Sequence, residues 1–225
     1  TDGSTDGSTD GSTDGSTDGS NDGSTDGSTD GSTDGSADDI TIVGDWTLLN
    51  AAGALGVGPA QGDITWWSND DAAVTIRDCL FDDIFRFTAD GTFSNEMGDA
   101  TWLDTHQAPP ETCGAPLAPH DNSSAAIYDY DESNGTLTVT GTGAHIGLSK
   151  VINLAEITRS ADAPASITYL VTELTATTMT LDIEIRTGDG GEGWWRFELV
   201  NDAGDGSTDG GSVATGAEGE LTTNG

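Results

Sequence analysis

The sequence predicts an all-β fold, either a jelly-roll-like antiparallel β-sandwich or a flattened closed barrel, preceded by an extended non-globular tract. Three observations predict it. Apolar and polar residues alternate over short runs between positions 40 and 200, which is the period of a half-buried strand. The pairs Asp90-Gly91 and Asn134-Gly135 separate such runs, and both pairs readily take the positive φ of tight hairpin turns. No run in this region has convincing helical periodicity.

Eight segments carry the strand pattern. They are 40–49, 84–87, 92–95, 125–130, 136–140, 167–174, 179–186 and 194–200. Seven or eight strands in about 160 residues are typical of an antiparallel sandwich or barrel. The segments 51–68 and 102–122 remain as long loops, and loops of this length are usually functional.

The composition divides the chain into three parts. Residues 1–39 are low in complexity, since nine consecutive Thr-Asp-Gly-Ser units run from Thr1 to Ser36 with Asn21 as the one departure. Residues 40–200 are mixed and aromatic, and we expect one β-domain there. Residues 201–225 form an acidic Gly-rich tail that repeats the motif at 205–210.

The repeat tract cannot bury a core of its own, so any order in it must come from a partner. Calcium is one candidate, because each unit supplies a carboxylate oxygen. The candidate calcium ligands are Asp2, Asp6, Asp10, Asp14, Asp18, Asp22, Asp26, Asp30 and Asp34. However, the spacing matches neither an EF-hand loop nor a nonapeptide calcium repeat.

Covalent glycans are the second candidate for the tract, and a bare flexible linker is the third. Hydroxyl side chains occupy two of every four positions. The candidate O-glycosylation sites are Thr1, Ser4, Thr5, Ser8, Thr9, Ser12, Thr13, Ser16, Thr17, Ser20, Ser24, Thr25, Ser28, Thr29, Ser32, Thr33 and Ser36.

The charge is strongly acidic, with 40 acidic residues against six basic ones and a formal net charge of -34. Nucleic acid and anionic membrane surfaces are therefore poor partners. No stretch approaches the roughly 20 apolar residues of a membrane span, so we expect no membrane insertion. Charge at this density is best tolerated where salt or divalent cations screen it, which favours an extracellular or cell-surface location.

The sequence contains two cysteines, Cys79 and Cys113. An even number in a chain of secreted character favours a disulfide, and two buried free thiols are the alternative.

Four of the six tryptophans form two adjacent pairs, Trp66-Trp67 and Trp194-Trp195. In a strand, one member of such a pair faces the core and the other faces outward. An outward tryptophan beside polar groups is a candidate platform for a sugar. Packing in the core or in a subunit contact is the alternative that we weigh more heavily.

Catalytic motifs are weak, and we expect no enzyme. Asp182 and Glu184 share one strand face, as carboxylates do in retaining glycosidases of the laminarinase type, but Thr180 stands where the third carboxylate should be. His106, His120 and His145 are scattered in the sequence, without a nucleophile motif nearby. His120 and Asp121 could bind a metal with Asp104, and a solvated loop is the alternative.

Several motifs together resemble a secreted or cell-surface accessory β-domain of marine Bacteroidota, which occurs beside adhesion repeats and polysaccharide-degrading modules. They are Gly44-Asp45-Trp46-Thr47-Leu48, the segment 54–59, Trp66-Trp67, the segment 79–83, the segment 87–93 and Trp194-Trp195-Arg196-Phe197. The opening Gly-x-Trp and the hairpin at 87–93 also resemble lipocalin-like barrels. The resemblance implies a secreted accessory domain and names no activity.

Two functions follow as hypotheses. The first is a structural subunit of an extracellular filament or surface fibre, a homopolymer in which the β-domain makes subunit contacts and the tract carries glycans or calcium. The second is a carbohydrate-binding accessory module of a secreted polysaccharide-degrading system.

Overall fold

The computed structural model describes residues 40–201, which form a closed antiparallel barrel of eight strands. The predicted all-β class is therefore confirmed, in its barrel form. The predicted tract 1–39 and most of the predicted tail, residues 202–225, lie outside the described residues. The same holds for every calcium and O-glycosylation candidate, and those remain predictions.

The elements follow in chain order. The strands between residues 40 and 201 are β1 (Gly44–Leu48), β2 (Leu55–Gly58), β3 (Trp67–Ser68), β4 (Ile84–Phe87), β5 (Thr92–Glu96), β6 (Thr101–Leu103), β7 (Thr112–Gly114), β8 (Ala126–Asp131), β9 (Thr136–Thr140), β10 (Val151–Ile152), β11 (Ala155–Glu156), β12 (Ser166–Leu174), β13 (Thr178–Arg186) and β14 (Glu192–Val200). The α-helices are α1 (Asp71–Ile76) and α2 (Asp78–Phe81), and a 3-10 turn covers Ser160–Asp162. None of the described helices has the length and apolar composition of a membrane span.

The barrel runs in the order β1-β4-β5-β8-β9-β12-β13-β14 and closes through pairing of β14 with β1. Leu48 pairs with Leu199 at the closure. Further along β14, β2 replaces β1 as the neighbour, with Leu55 opposite Phe197 and Gly58 opposite Trp194. β1 and β2 thus act as one interrupted strand, and β3 extends the sheet beyond β2.

The eight predicted strand segments coincide with the eight barrel strands, and 84–87 and 136–140 match at both ends. The expectation of no helix was wrong for 71–81. There Asp70 caps α1 by accepting a hydrogen bond from the Ala73 amide at 2.8 Å. Both helices are too short to display a helical repeat in the sequence. The two predicted loops also contain short strands, β2 and β3 in one and β6 and β7 in the other.

The two predicted hairpin turns are present, but only the glycine of each pair takes positive φ. Gly91 has φ of 85° and Gly135 has φ of 61°. Asp90 instead accepts a hydrogen bond from the Thr92 amide through its side chain. The Asp90 side chain therefore satisfies a backbone donor of the turn. The Asp90 backbone itself does not take the left-handed conformation.

Side chains fill the barrel interior, which is a packed core. Alternate residues of each strand point inward, as Met179, Leu181 and Ile183 do on β13. The loop 141–150 closes the end of the barrel at which β14 begins, since Ile146 and Leu148 are fully buried there. The Tyr169 hydroxyl accepts a hydrogen bond from the Ile146 amide at 2.9 Å and fixes this loop against β12.

One buried carboxyl group lies at the start of β4. Asp83 is almost fully buried, and its Oδ2 accepts a hydrogen bond from the Thr101 hydroxyl at 2.6 Å. Burial raises the pKa of Asp83 to about 8, because the charged form loses its hydration. The folded protein therefore holds a proton on this group at neutral pH that the unfolded chain releases near pH 4.

We expect Asp83→Asn to become more stable than the wild type as the pH rises from 4 to 8. A folded-state pKa above the unfolded value means that stability is lost as the pH rises through this window, at up to about 1.4 kcal/mol per pH unit. The amide cannot ionise, so the stability of the variant does not fall for this reason as the pH rises. Urea denaturation at pH 4, 6 and 8 measures the difference. Asp82→Asn, a change at the exposed neighbour, is the control, and equal pH profiles for all three proteins would contradict the assignment.

Candidate functional site

An open cleft of about 300 Å³ lies near the barrel end at which β14 begins. Its lining residues are Val57, Trp67, Arg77, Lys150 and Trp195, and we call it the tryptophan cleft. Val57 and Trp195 are paired residues of β2 and β14 and share the inner face of the sheet. The cleft thus combines two aromatic side chains and two cations around a short apolar floor.

The two tryptophan pairs have different positions. On β14, Trp195 points inward and is 4% exposed, whereas Trp194 is half-buried on the outer face. Trp66 and Trp67 are 49% and 36% exposed. The ring centroids of Trp67 and Trp195 lie 5.9 Å apart at a tilt of 59°, so one member of each pair contributes to the cleft.

The two cations of the cleft stack on indole rings. The Arg77 guanidinium carbon lies 5.2 Å from the Trp67 ring centre and 4.6 Å from that of Trp102. The Lys150 ammonium nitrogen lies 5.2 Å from the Trp195 ring centre. Such contacts hold a cation beside an aromatic wall while leaving hydrogen-bond donors free.

These two cations also have the longest ion-pair contacts among the six basic residues. Arg77 is 3.4 Å from Glu111, and Lys150 is 3.9 Å from Glu156. The closest carboxylate oxygens of the other four lie at 3.0 Å or less. Those four are Arg86, Arg159, Arg186 and Arg196. Arg77 and Lys150 thus combine the longest contacts to a carboxylate with side chains that are only 16% and 24% exposed.

A second recess of about 230 Å³ adjoins the cleft at Lys150. Its lining includes His106, Glu111 and Glu156. Glu156 also accepts a hydrogen bond from the Trp195 indole nitrogen at 2.7 Å, which fixes the orientation of that ring. A ligand longer than one ring has room to continue from the cleft into this recess.

The predicted disulfide is present and links two segments next to the cleft. Cys79 of α2 is bonded to Cys113 of β7, across 34 positions of sequence. Arg77 immediately precedes α2, and its partner Glu111 immediately precedes β7. The bond therefore holds the Arg77 segment against the β6-β7 hairpin that carries Trp102.

The acidic strand that resembled a glycosidase motif makes a different contact. Asp182 is fully buried on the outer face of β13, and both of its carboxylate oxygens accept hydrogen bonds from Arg196 of β14, at 2.9 and 3.0 Å. The loop at Gly62 lies over this pair, so closely that a Cβ added to Gly62 would lie 3.0 Å from an Arg196 nitrogen. Asp182 thus joins two strands.

The three histidines, scattered in the sequence, lie together in the structure. The ring centroids of His106 and His120 are 5.5 Å apart, and those of His120 and His145 are 5.2 Å apart. Burial lowers the pKa of His145 to about 3 and that of His106 to about 4, and it also lowers the pKa of His120. All three imidazoles are therefore neutral at physiological pH.

No protein-family model matches the sequence, and no curated protein matches it with significant similarity. The resemblance to an accessory domain of marine Bacteroidota stays a prediction.

Sequence reasoning identified the tryptophans but missed Arg77 and Lys150. Both lie outside the predicted strands, and the cleft brings them to Trp67 and Trp195 from distant positions. The composition gave only a coarse signal, since it narrows the candidate cations to six residues.

Proposed function

We propose that residues 40–201 form a binding module for an acidic saccharide, with the tryptophan cleft as its site. The observation that supports this most strongly is the position of Arg77 and Lys150. These two loosely paired cations line an aromatic cleft on a chain of net charge -34.

The aromatic walls suit a sugar ring. A pyranose presents one face of polarised C–H bonds, which pack against the negative face of an indole. Trp67 is exposed enough for such a contact, whereas Trp195 is 4% exposed, stacks on Phe197 and is held in place by Glu156. The volume of the cleft is at the lower end of the range for small-molecule sites, and the adjoining recess extends it.

The cations favour a sugar that carries a carboxylate or sulfate group. Arg77 offers several N–H donors in a fixed plane, and Lys150 offers a mobile ammonium group. An anion bound between them would replace the long contacts to Glu111 and Glu156. The acidic surroundings would repel an anion elsewhere on the surface, so the cleft would also fix the binding position.

A secreted location fits this function. The Cys79–Cys113 disulfide is the supporting observation, because such bonds persist mainly in oxidising compartments. The filament hypothesis depends on the tract, which lies outside the described residues, and it remains a prediction.

Calorimetric titration with tetragalacturonate tests the proposed function. We expect saturable binding that weakens as salt is added, because the attraction is partly ionic. Trp67→Ala and Lys150→Gln should each weaken binding by about tenfold or more, which corresponds to about 1.4 kcal/mol.

Matched controls keep this experiment specific. Trp66→Ala removes an exposed neighbour outside the cleft lining, and Arg159→Gln removes an exposed cation elsewhere, so both should bind like the wild type. Maltotetraose has the same number of rings without charge and should bind more weakly. Equal affinity for both oligomers would contradict the role of the cations, and no binding of either would contradict the proposed function.

A further inference from the structure

Part of the sheet projects beyond the barrel at the end where β1 begins. β5 pairs with β8 only through Thr92 opposite Ile127 and Phe93 opposite Ala126. β8 continues past Ile127 to Asp131 and stays paired with β9, which in turn pairs with β12. The sheet of β8, β9 and β12 therefore extends further than β5, and part of its inner face remains uncovered at this end.

An open groove of about 650 Å³ lies between this inner face and the segment 40–43, and we call it the tyrosine groove. Its volume falls within the range of small-molecule sites, which often lie at the ends of β-barrels. The side chains of β8 and β12 that line it are half-buried and pack against the core. They are Tyr128, Tyr130, Val171 and Leu174.

The two tyrosines occupy successive inward positions of β8. The Tyr128 hydroxyl donates a hydrogen bond to the Thr88 carbonyl oxygen at 2.9 Å, and its ring meets that of Phe87 edge to face, with centroids 5.0 Å apart. Tyr130 lies further out, on the projecting part of the strand. The groove thus has one anchored aromatic ring and a second ring nearer its opening.

The charged residues that line the groove are all acidic, namely Asp129, Glu132 and Glu173. Burial raises the pKa of Tyr130, and the charge of Glu132 raises it further. Asp90 acts on Tyr128 in the same way. A nearby negative charge disfavours a phenolate, so a carboxylate lies close enough to act on each ring.

We propose that the tyrosine groove binds a small organic cation with an apolar chain, of the alkylammonium class. The ammonium group would lie against the Tyr130 ring beside Glu132, because an aromatic face and a carboxylate both attract a cation. The alkyl chain would pack on Val171 and Leu174. An anionic ligand would meet only like charge here, so this site is distinct in chemistry from the tryptophan cleft at the other end of the barrel.

The repeat tract of the chain itself is a poorer occupant of the groove. Residues 1–36 consist of Thr, Asp, Gly, Ser and one Asn, so they offer no apolar side chain to the groove. They also carry nine aspartates, which Glu132 would repel.

Calorimetric titration of the full chain with octyltrimethylammonium, below its micelle concentration, tests the proposal. We expect saturable binding at one site per chain. Tetramethylammonium keeps the charge without the chain, and octanoate has a chain with the opposite charge. Each should bind at least about tenfold more weakly. Octanoate that binds as tightly as octyltrimethylammonium would overturn the proposal.

Variants separate this site from diffuse attraction to an acidic protein. Tyr130→Leu and Glu132→Gln should each weaken binding by at least about threefold. Tyr130→Phe keeps the ring and should bind like the wild type. Glu192→Gln removes the same charge at the other end of the barrel and should also bind like the wild type.

The exposed position of Glu132 keeps the test decisive even if Tyr130→Leu fails to fold. Equal losses for Glu132→Gln and Glu192→Gln would overturn the proposal, because they would mean that only net charge attracts the ligand. Absence of binding to the wild type would overturn it as well. In that case, a concentration-dependent mass in sedimentation would assign the groove to a second copy of the chain.

Discussion

Replacing Cys79 and Cys113 together with serine is expected to lower the free energy of unfolding by about 4 kcal/mol. The bond closes a loop of 34 positions, and in the chain-entropy model a loop of this length restricts the unfolded chain by about this amount. A domain of this size has a total stability of about 5–15 kcal/mol, so the loss is a large fraction. Urea denaturation of both proteins measures it.

The same variant should bind tetragalacturonate more weakly, because the bond holds the segment of Arg77 next to Glu111. Wild-type protein in excess dithiothreitol is the matched control and should reproduce the midpoint of the double variant. A loss below about 1 kcal/mol, with no effect of the reductant, would contradict a stabilising role of the bond.

Asp182→Ala is expected to cost about 3–5 kcal/mol, because it leaves the Arg196 guanidinium without its bidentate partner. Asp182 is 0% exposed, and the two hydrogen bonds join the neighbouring strands β13 and β14. Hydrogen bonding to Asp182 raises the pKa of Arg196, and a guanidinium stays charged even after the carboxylate is removed.

Two further variants show whether the unpaired charge causes that loss. Asp182→Ala combined with Arg196→Met removes both charges and should recover much of the stability. Asp162→Ala breaks the exposed pair with Arg159 and should cost less than about 1 kcal/mol. If Asp182→Ala costs no more than Asp162→Ala, the buried pair does not stabilise the barrel as argued.

The barrel strands could be predicted because each buries one face. The alternation of apolar and polar residues over 136–140 and 179–186 indicates which residues point inward. The glycines of the two hairpins mark the turns. The sequence did not decide between a sandwich and a barrel. That choice depends on the pairing of Leu48 with Leu199, which joins the two ends of the sheet and leaves no local pattern.

The candidate site was less predictable because its residues lie in loops and between short helices that are far apart in the sequence. Arg77 lies between two helices of six and four residues, and Lys150 ends the loop that closes the barrel. His120 and His145 lie side by side because Gly143 allows their two loops to touch. Contacts of this kind depend on tertiary structure, and periodicity does not encode them.

The most direct test of the proposed saccharide site uses the indole N–H signals of the six tryptophans in a two-dimensional NMR titration with tetragalacturonate. The indole signals of Trp67 and Trp195 should shift progressively and saturate. That of Trp46, which is buried and donates to the Ile42 carbonyl, should stay in place. Saturation at Trp67 and Trp195 would support the tryptophan cleft as the binding site. Unchanged signals at both residues, at ligand concentrations that saturate in calorimetry, would contradict it.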